Sequence, residues 1–261
     1  KIRIHIYGHR VLVPNSKINR FFIKTGHAIS IKDFKRKINF LRNNFSSITL
    51  DESCKQLANP KNDFVVSFDD GYKDNISVAF PVLKKYGIPM HIFVTSDIIE
   101  HNLLFWPDVL GYICSEINGE YEFEFSNKTY VFNNEDRIKS YLSICSELKK
   151  HTDEEIKSIL NNIINVTGYN PRIDAKDIYL SKDDIKSSSN LISFGAHSLK
   201  HENLVQLSDE DLENTIFGSI KFLEELTNCK INTFAYPYGD YDSRTLDYLN
   251  KNKLCEYAFT T

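Results

Sequence analysis

Glycine and proline are scarce in this chain, at 10 and 7 of 261 residues. That excludes collagen-like repeats and Pro-rich linker architecture. An excess of one charge is missing as well. Lys and Arg total 32, Asp and Glu 35, and the formal net charge is −3. Such a balance supplies no strong field toward nucleic acid or an anionic membrane, so nucleic acid is not expected as a partner. No apolar run approaches the roughly 18 residues of a spanning helix, so no transmembrane segment is expected. The longest runs, 64–68 and 90–94, are strand-length. Residues 1–6 alternate rather than forming the apolar stretch of a secretory signal, although the chain begins at Lys, not Met. Cys54, Cys114, Cys145, Cys229 and Cys255 are odd in number, scattered and without a CxxC pair. Reduced thiols are therefore expected rather than a disulfide framework. Thiols and the lack of a visible signal favour a cytoplasmic location. What is present is core material: 41% hydrophobic and 13% aromatic residues rule out a disordered chain. The length is close to that of one (β/α) barrel, about 250 residues.

Residues 1–7 alternate Ile with polar residues, as a strand with one buried face does. Ser30 precedes Ile31, Phe34, Ile38 and Leu41, a helical spacing behind an N-cap. Residues 64–68 form a β-rich run that ends in Asp69-Asp70-Gly71. Residues 76–86 read as a helix stopped by Gly87, and 90–94 as a strand. Strand, helix, strand argues a parallel α/β arrangement. Residues 105–117 then read as a helix, 120–125 and 129–132 as a hairpin around Ser126-Asn127-Lys128, and 136–149 and 153–166 as two more helices. No Pro/Gly/Ser linker bounds this stretch. The expectation is a single domain spanning 1–261 with a helical and hairpin insertion at about 105–185. The α/β rhythm returns with a strand at 191–196 and a helix opened by Ser208-Asp209-Glu210-Asp211. A strand at 231–236, a helix at 242–252 and a last strand from Tyr257 follow.

Three of these strands end in polar clusters: Asp69-Asp70-Gly71, His197-Ser198-Leu199-Lys200-His201 and Pro237-Tyr238-Gly239. Parallel α/β folds place their sites at the carboxyl ends of strands, so the three can converge on one pocket. Adjacent carboxylates within a strand point to opposite faces. At a strand-to-loop turn, with Gly71 following, both can aim at one site. Two ionised carboxylates so close repel unless a cation or a shared proton compensates. A metal gives one of them a ligand role and leaves the other as a base; a plain Asp-Asp-Gly surface turn is the alternative. His197 and His201, four apart, suit two ligands on one face of a helical turn, a spacing that eight histidines also produce by accident. Two His, one carboxylate and an open position for water make a catalytic zinc set, and the same set suits non-haem Fe(II). The spare Asp favours hydrolysis, because a metal-activated water needs a base. Pro237-Tyr238-Gly239 is either a turn with an aromatic lid or a backbone N–H aimed at a developing oxyanion.

Together these clusters resemble the polysaccharide deacetylase family, carbohydrate esterase family four, also called the nodulation-factor deacetylase homology domain. Ser67-Phe68-Asp69-Asp70-Gly71-Tyr72 looks like its first motif, His197-Ser198-Leu199-Lys200-His201 matches its His-(Ser/Thr)-x-x-His second motif, and Phe234-Ala235-Tyr236-Pro237-Tyr238-Gly239 looks like a variant of the third. Tyr7-Gly8-His9-Arg10-Val11 and Phe105-Trp106-Pro107-Asp108 resemble elements of one subgroup. The resemblance implies an α/β fold, a distorted, incompletely closed (β/α) barrel of about seven strands. It implies a metal-dependent hydrolase that removes acetyl groups from N-acetylated sugars of a polysaccharide or glycoconjugate by attack of a metal-bound water. Asp70, His197 and His201 would hold a divalent metal, Zn2+ first, with Co2+, Ni2+, Mn2+ or Fe2+ as alternatives. Asp69 would be the general base, and the backbone N–H of Tyr238 would stabilise the oxyanion. Relatives often act on cell-envelope polymers, which sets that location beside the cytoplasmic one.

The chain departs from the family pattern in three places. Ala235 stands where an Arg often supports the base, Ser67 stands where Thr is usual, and no late His matches the usual general acid. His9 is the candidate to substitute as acid, and Ser198 to support the ligand loop. Tyr72, Trp106 and Pro237 are candidates for contact with the sugar, and Trp106 serves equally as a core anchor. The other histidines (His5, His27, His91, His101, His151) have no convergent partners in the sequence and read as structural or surface residues. The missing Arg and acid motivate an alternative, a carbohydrate-binding protein with this fold and little turnover. Another alternative keeps the site and changes the substrate to an O-acetyl ester or a small amide.

Overall fold

A strand with both faces buried belongs in the middle of a parallel sheet, and all six residues of Asp63–Phe68 are buried. In the computed structural model, which describes residues 1–126, 128–132 and 136–260, this strand pairs in parallel with Arg3–Gly8 along its whole length. It also takes Ser46–Ser47 at its start and Met90–Val94 at its end. The order continues through Ile192–Ala196, Thr233–Ala235 and Tyr257–Phe259, every pairing parallel. The rings of His5, in the first strand of that order, and Phe259, in the last, lie 6.2 Å apart. The sheet thus curls toward closure as a distorted, incomplete (β/α) barrel.

Alternation along each strand separates two environments. Val66, Ile92 and Phe234 belong to a core with the apolar stripes of the helices Ile31–Asn44 and Asp209–Thr227, through Phe34, Ile38, Leu41, Leu212, Ile216, Ile220 and Leu223. Each such side chain contributes about 1.5–3 kcal/mol relative to exposure. Ser30 and Ser208 cap the two helices, accepting the N–H of Asp33 and of Asp211, each at 3.1 Å. The other face mixes a small apolar cluster that includes Val65, Phe93 and Ala235 with polar pairs. Arg3 makes a two-pronged contact with Asp63 at 2.6 and 2.9 Å, and the ring of His5 pairs with Ser67. His91 is bonded through Nδ1 to Ser193 and through Nε2 to Thr233. The expected helix at 76–86 is divided into a π-turn, Asn75–Ala79, and a short α-helix, Phe80–Lys84. Pro81 has no N–H to return to Ser77, and the helix widens just before it.

The chain divides into two compact units. The first, Lys1–Val11, Ile29–Leu103 and Ala175–Thr261, carries the curled sheet. The second, Leu12–Ala28 and Leu104–Asp174, has its own core. It is built from the helices Trp106–Glu116, Arg137–Leu148 and Asp153–Thr167, the hairpin Tyr121–Phe125 and Lys128–Phe132, and Phe21 and Phe22 of the helix Lys17–Thr25. The second unit differs from the insertion expected at about 105–185 at both ends. Leu180 and Ile185 join the core under the sheet, and the Leu180 N–H donates to the Gly71 carbonyl at 2.9 Å. Residues 12–28 enter the second unit because Phe21 packs its ring on Tyr141 at 5.4 Å. Asn127 of the expected hairpin turn and Thr261 lie outside the described residues. Among the described residues no helix is long and apolar enough to cross a membrane.

Candidate active site

The Asp63–Phe68 strand extends by one residue, the Asp69 N–H donating to the Gly8 carbonyl at 2.9 Å. The chain then turns through two left-handed residues, Asp70 at φ 74° and Gly71 at φ 79°. For a residue with a Cβ this conformation costs about 1–2 kcal/mol, and such strain gathers at functional sites. It turns two adjacent carboxylates into one region, with Asp69 and Asp70 only 8% and 6% exposed.

His197 follows the Ile192–Ala196 strand, its N–H donating to the Val94 carbonyl at 3.0 Å. The segment to His201 is a loop and not the helical turn that the four-residue spacing suggested. Ser198 at φ 62° and His201 at φ 64° curl it back, and Ser198 Oγ accepts the His201 N–H at 2.9 Å. Both histidine Nε2 atoms thereby stand 3.4 Å from Asp70 Oδ1. The ring planes lie at 75° with centroids 4.8 Å apart. His197 Nδ1–H donates to the Ala235 carbonyl at 2.8 Å. That bond settles the tautomer and leaves the Nε2 lone pair toward Asp70.

One ligand atom from each of Asp70, His197 and His201 lies within 4.8 Å of the others. Asp70 Oδ1 is buried, and no donor reaches it in hydrogen-bond geometry among the described residues. Burial disfavours the Asp70 charge, but the neighbouring imidazoles of His197, His201 and His9 outweigh it and hold the carboxyl well below the ordinary range. Burial pushes His201 down to about 3, the neutral form a metal ligand needs. Burial would lower His197 too, but Asp70 and Asp69 overcome it and raise that imidazole. An orphaned carboxylate oxygen facing two imidazole nitrogens fits a divalent cation, and the two-His, one-carboxylate set is one that zinc takes. Burial raises Asp69, against the pull of His197 and His9.

The third cluster meets the second. Tyr238, itself left-handed at φ 60°, sets its ring edge-on to His201 with centroids 4.6 Å apart. Pro237 starts that turn and is buried. His9 places Nε2 4.0 Å from Asp70 Oδ2, with 41% of its side chain exposed. Tyr72 corrects an expectation. It is 2% exposed, with the Arg10 guanidinium 4.5 Å over its ring and Tyr179 at 5.3 Å, so it has a packing role and presents no stacking face. Trp106 lies in the second unit, partly buried against that unit's core, which suits the anchor reading.

Sequence reasoning missed residues that act through hydrogen bonds. Asp74 accepts the Val11 N–H at 2.8 Å and the Arg10 Nε–H at 2.9 Å, and the Asn75 amide donates to the His9 carbonyl at 2.8 Å. The segment after the Asp pair thus holds the His9 loop. Glu202, whose carboxylate accepts the Ser198 hydroxyl and the Lys200 N–H, and the Ala235 carbonyl were missed as well. A backbone carbonyl carries no residue-type signal, and a polar side chain next to a motif looks like surface.

The profile of a family described as polysaccharide deacetylase matches residues 56–256. YxkH of Bacillus subtilis (strain 168), which bears a polysaccharide deacetylase name, is 34% identical over 86 residues. That match covers 30% of this chain and 31% of the relative, under a third of its length. Among solved structures, IcaB from Ammonifex degensii superposes with a TM-score of 0.60 at 20% identity, covering 99% of this chain and 83% of that one. The Streptococcus pyogenes deacetylase PplD in complex with acetate superposes at 0.58 and 16% identity, covering 95% and 78%. At these identities the likeness shows the fold.

Proposed function

Because the chain belongs to the polysaccharide deacetylase family, we propose that it is a metal-dependent hydrolase that removes acetyl groups from N-acetylated sugars of a polysaccharide or glycoconjugate. Family membership supports a hydrolase acting on amide bonds. The observation that carries the finer reading is the convergence of His197 Nε2 and His201 Nε2 on Asp70 Oδ1, a buried carboxylate oxygen without a donor among the described residues, with Asp69 alongside.

In this reading Asp70, His197 and His201 hold the cation, Zn2+ first. Bound there, it supplies Lewis acidity toward the acyl oxygen and the attacking water. Asp69 accepts one proton from that water as its oxygen bonds to the acyl carbon. The Tyr238 N–H faces the charge that develops on the acyl oxygen. His9, partly exposed beside Asp70, gives a proton to the sugar nitrogen as the C–N bond breaks, and acetate and a free amine leave. Ala235 offers no guanidinium to Asp69, so the titratable groups acting on Asp69 are His197 and His9, which favour its carboxylate, and Asp70, which opposes it.

Metal content of the purified protein, followed by acetate release from N-acetylglucosamine oligomers with and without chelator, tests this. Stoichiometric metal with chelator-sensitive release is expected. Metal without release shifts the reading to another acyl substrate or to carbohydrate binding. Failure to take up metal after reconstitution overturns the ligand set.

A further inference from the structure

Three successive backbone N–H groups in the His197–His201 loop end on one side-chain network. Leu199 N–H donates to Thr215 Oγ1 at 3.0 Å, Lys200 N–H to Glu202 Oε2 at 2.9 Å, and His201 N–H to Ser198 Oγ at 2.9 Å. Glu202 closes the network. Its Oε2 accepts the Ser198 hydroxyl at 2.8 Å, and its Oε1 accepts the Thr215 hydroxyl at 3.0 Å. Thr215 is buried on the long helix Asp209–Thr227, whose apolar face is locked in the core. The carbonyls of the same loop are held from elsewhere, Ser198 O by the Ser96 N–H at 3.2 Å and Leu199 O by the Asp97 N–H at 2.8 Å.

We infer that Glu202, anchored through Thr215, is a positioning residue that holds His201 in ligand geometry before any cation arrives. The inference rests on the metal-binding reading of Asp70, His197 and His201. Glu202 is not itself a candidate ligand: the group of ligand atoms within 4.8 Å of one another is Asp70, His197 and His201. The loop needs such a clasp. Ser198 and His201 both sit at positive φ, each at a cost of about 1–2 kcal/mol, and an unclasped loop relaxes toward ordinary conformations. Relaxation swings the His201 ring away from Asp70, and the cation must then reorder the loop as it binds. Preorganisation of this kind appears as affinity. A carboxylate is suited to the task because it is an acceptor only and takes several donors at once.

The test is Co2+ affinity of the chelator-stripped protein, by competition with a chromophoric chelator, together with the visible Co2+ spectrum and the melting temperature of the metal-free protein. Glu202→Gln and Thr215→Val are each expected to weaken Co2+ binding by about 10- to 100-fold, the range for lost outer partners of metal ligands, and to alter the Co2+ absorption. Thr215→Ser keeps the hydroxyl and is expected to bind within about threefold of the parent. Glu202→Gln and Thr215→Val binding Co2+ like the parent would overturn the inference. So would Thr215→Ser losing as much affinity as Thr215→Val, since the bulk of the residue and not its hydroxyl would then matter. If Glu202→Gln does not fold, the Thr215 pair decides. A parent protein that takes up no Co2+ overturns the metal reading itself, a result distinct from a parent that binds and variants that bind equally.

Discussion

His197 and Ala235 are joined by a 2.8 Å hydrogen bond from the imidazole Nδ1–H to the backbone carbonyl. The bond links the ends of two neighbouring strands, Ile192–Ala196 and Thr233–Ala235. Because a carbonyl only accepts, the ring must carry its proton on Nδ1, and Nε2 is left to face Asp70. The residue that departs from the family's usual Arg therefore takes part in the site through its main chain, which any amino acid at that position supplies. What the Arg would have done for the Asp69 charge falls to the neighbouring imidazoles of His197 and His9, which act against burial.

Asp69→Asn should retain stoichiometric metal and lose turnover. The two carboxyls are adjacent, but only Asp70 faces both histidine Nε2 atoms, so the ligand set survives the change. Removing a general base costs typically about 10²–10⁴-fold in rate. Metal analysis and acetate release on the same sample decide the matter. Near-normal turnover would sink the assignment of Asp69 as the base.

His9→Gln should separate substrates by their leaving group. His9 Nε2 lies 4.0 Å from Asp70 Oδ2, and the side chain is partly exposed, so it sits at the edge of the site where a departing amine would emerge. An amine needs a proton to leave and a nitrophenolate does not. Loss of about 10²-fold or more is expected on acetamido sugars, with 4-nitrophenyl acetate hydrolysis nearly spared. Equal loss on both would give His9 a role other than proton donor.

The sequence made the residues of the Asp70, His197 and His201 cluster legible because such types are rare at strand ends: Asp69-Asp70 and His197-His201 stand out against apolar runs. The shape of the loop was not legible. A separation of four fits a helical turn, and it equally fits a loop with Ser198 and His201 at positive φ, which no residue preference announces. The parallel α/β character could be read from alternating strands and helices. The membership of residues 12–28 in the second unit could not, because Phe21 and Phe22 find their partners only after the chain has folded. Tyr72 misled for a related reason. A tyrosine beside an Asp pair suggests a sugar platform until the Arg10 guanidinium is found over its ring.

Gly195→Ala should destabilise the first unit by overpacking. A Cβ at this position would lie 2.6 Å from His91 Nε2 and 2.8 Å from Phe93 Cδ1, and closer still to Thr233 Oγ1. All three neighbours are buried, so none can yield without disturbing another strand. The cost expected for such an insertion is about 1–3 kcal/mol. Urea denaturation should show a lower midpoint with an unchanged slope. An unchanged midpoint would mean that the strands part readily at this point.

The buried His91 should make the fold sensitive to acid. Burial pushes its imidazole down to about 3 from the ordinary 6.5. In the folded protein it stays neutral, bonded to Ser193 and Thr233, whereas in the unfolded chain it protonates as pH drops below 6.5. The unfolded state then binds the extra proton, so stability falls with pH from about 6.5 downward, by up to about 1.4 kcal/mol per pH unit, and levels off near 3. His201, pushed down to about 3 by the same cause, adds a similar slope when no metal is present. The clean comparison is therefore chelator-stripped parent against chelator-stripped His91→Gln, in which His201 is common to both. At pH 8 the variant should be the less stable, having traded one shape for another inside a packed row. Between pH 6 and 4 its urea midpoint should fall less steeply than the parent's, so the two curves converge. Parallel curves would mean that His91 is already charged in the folded state, or that its cavity admits water.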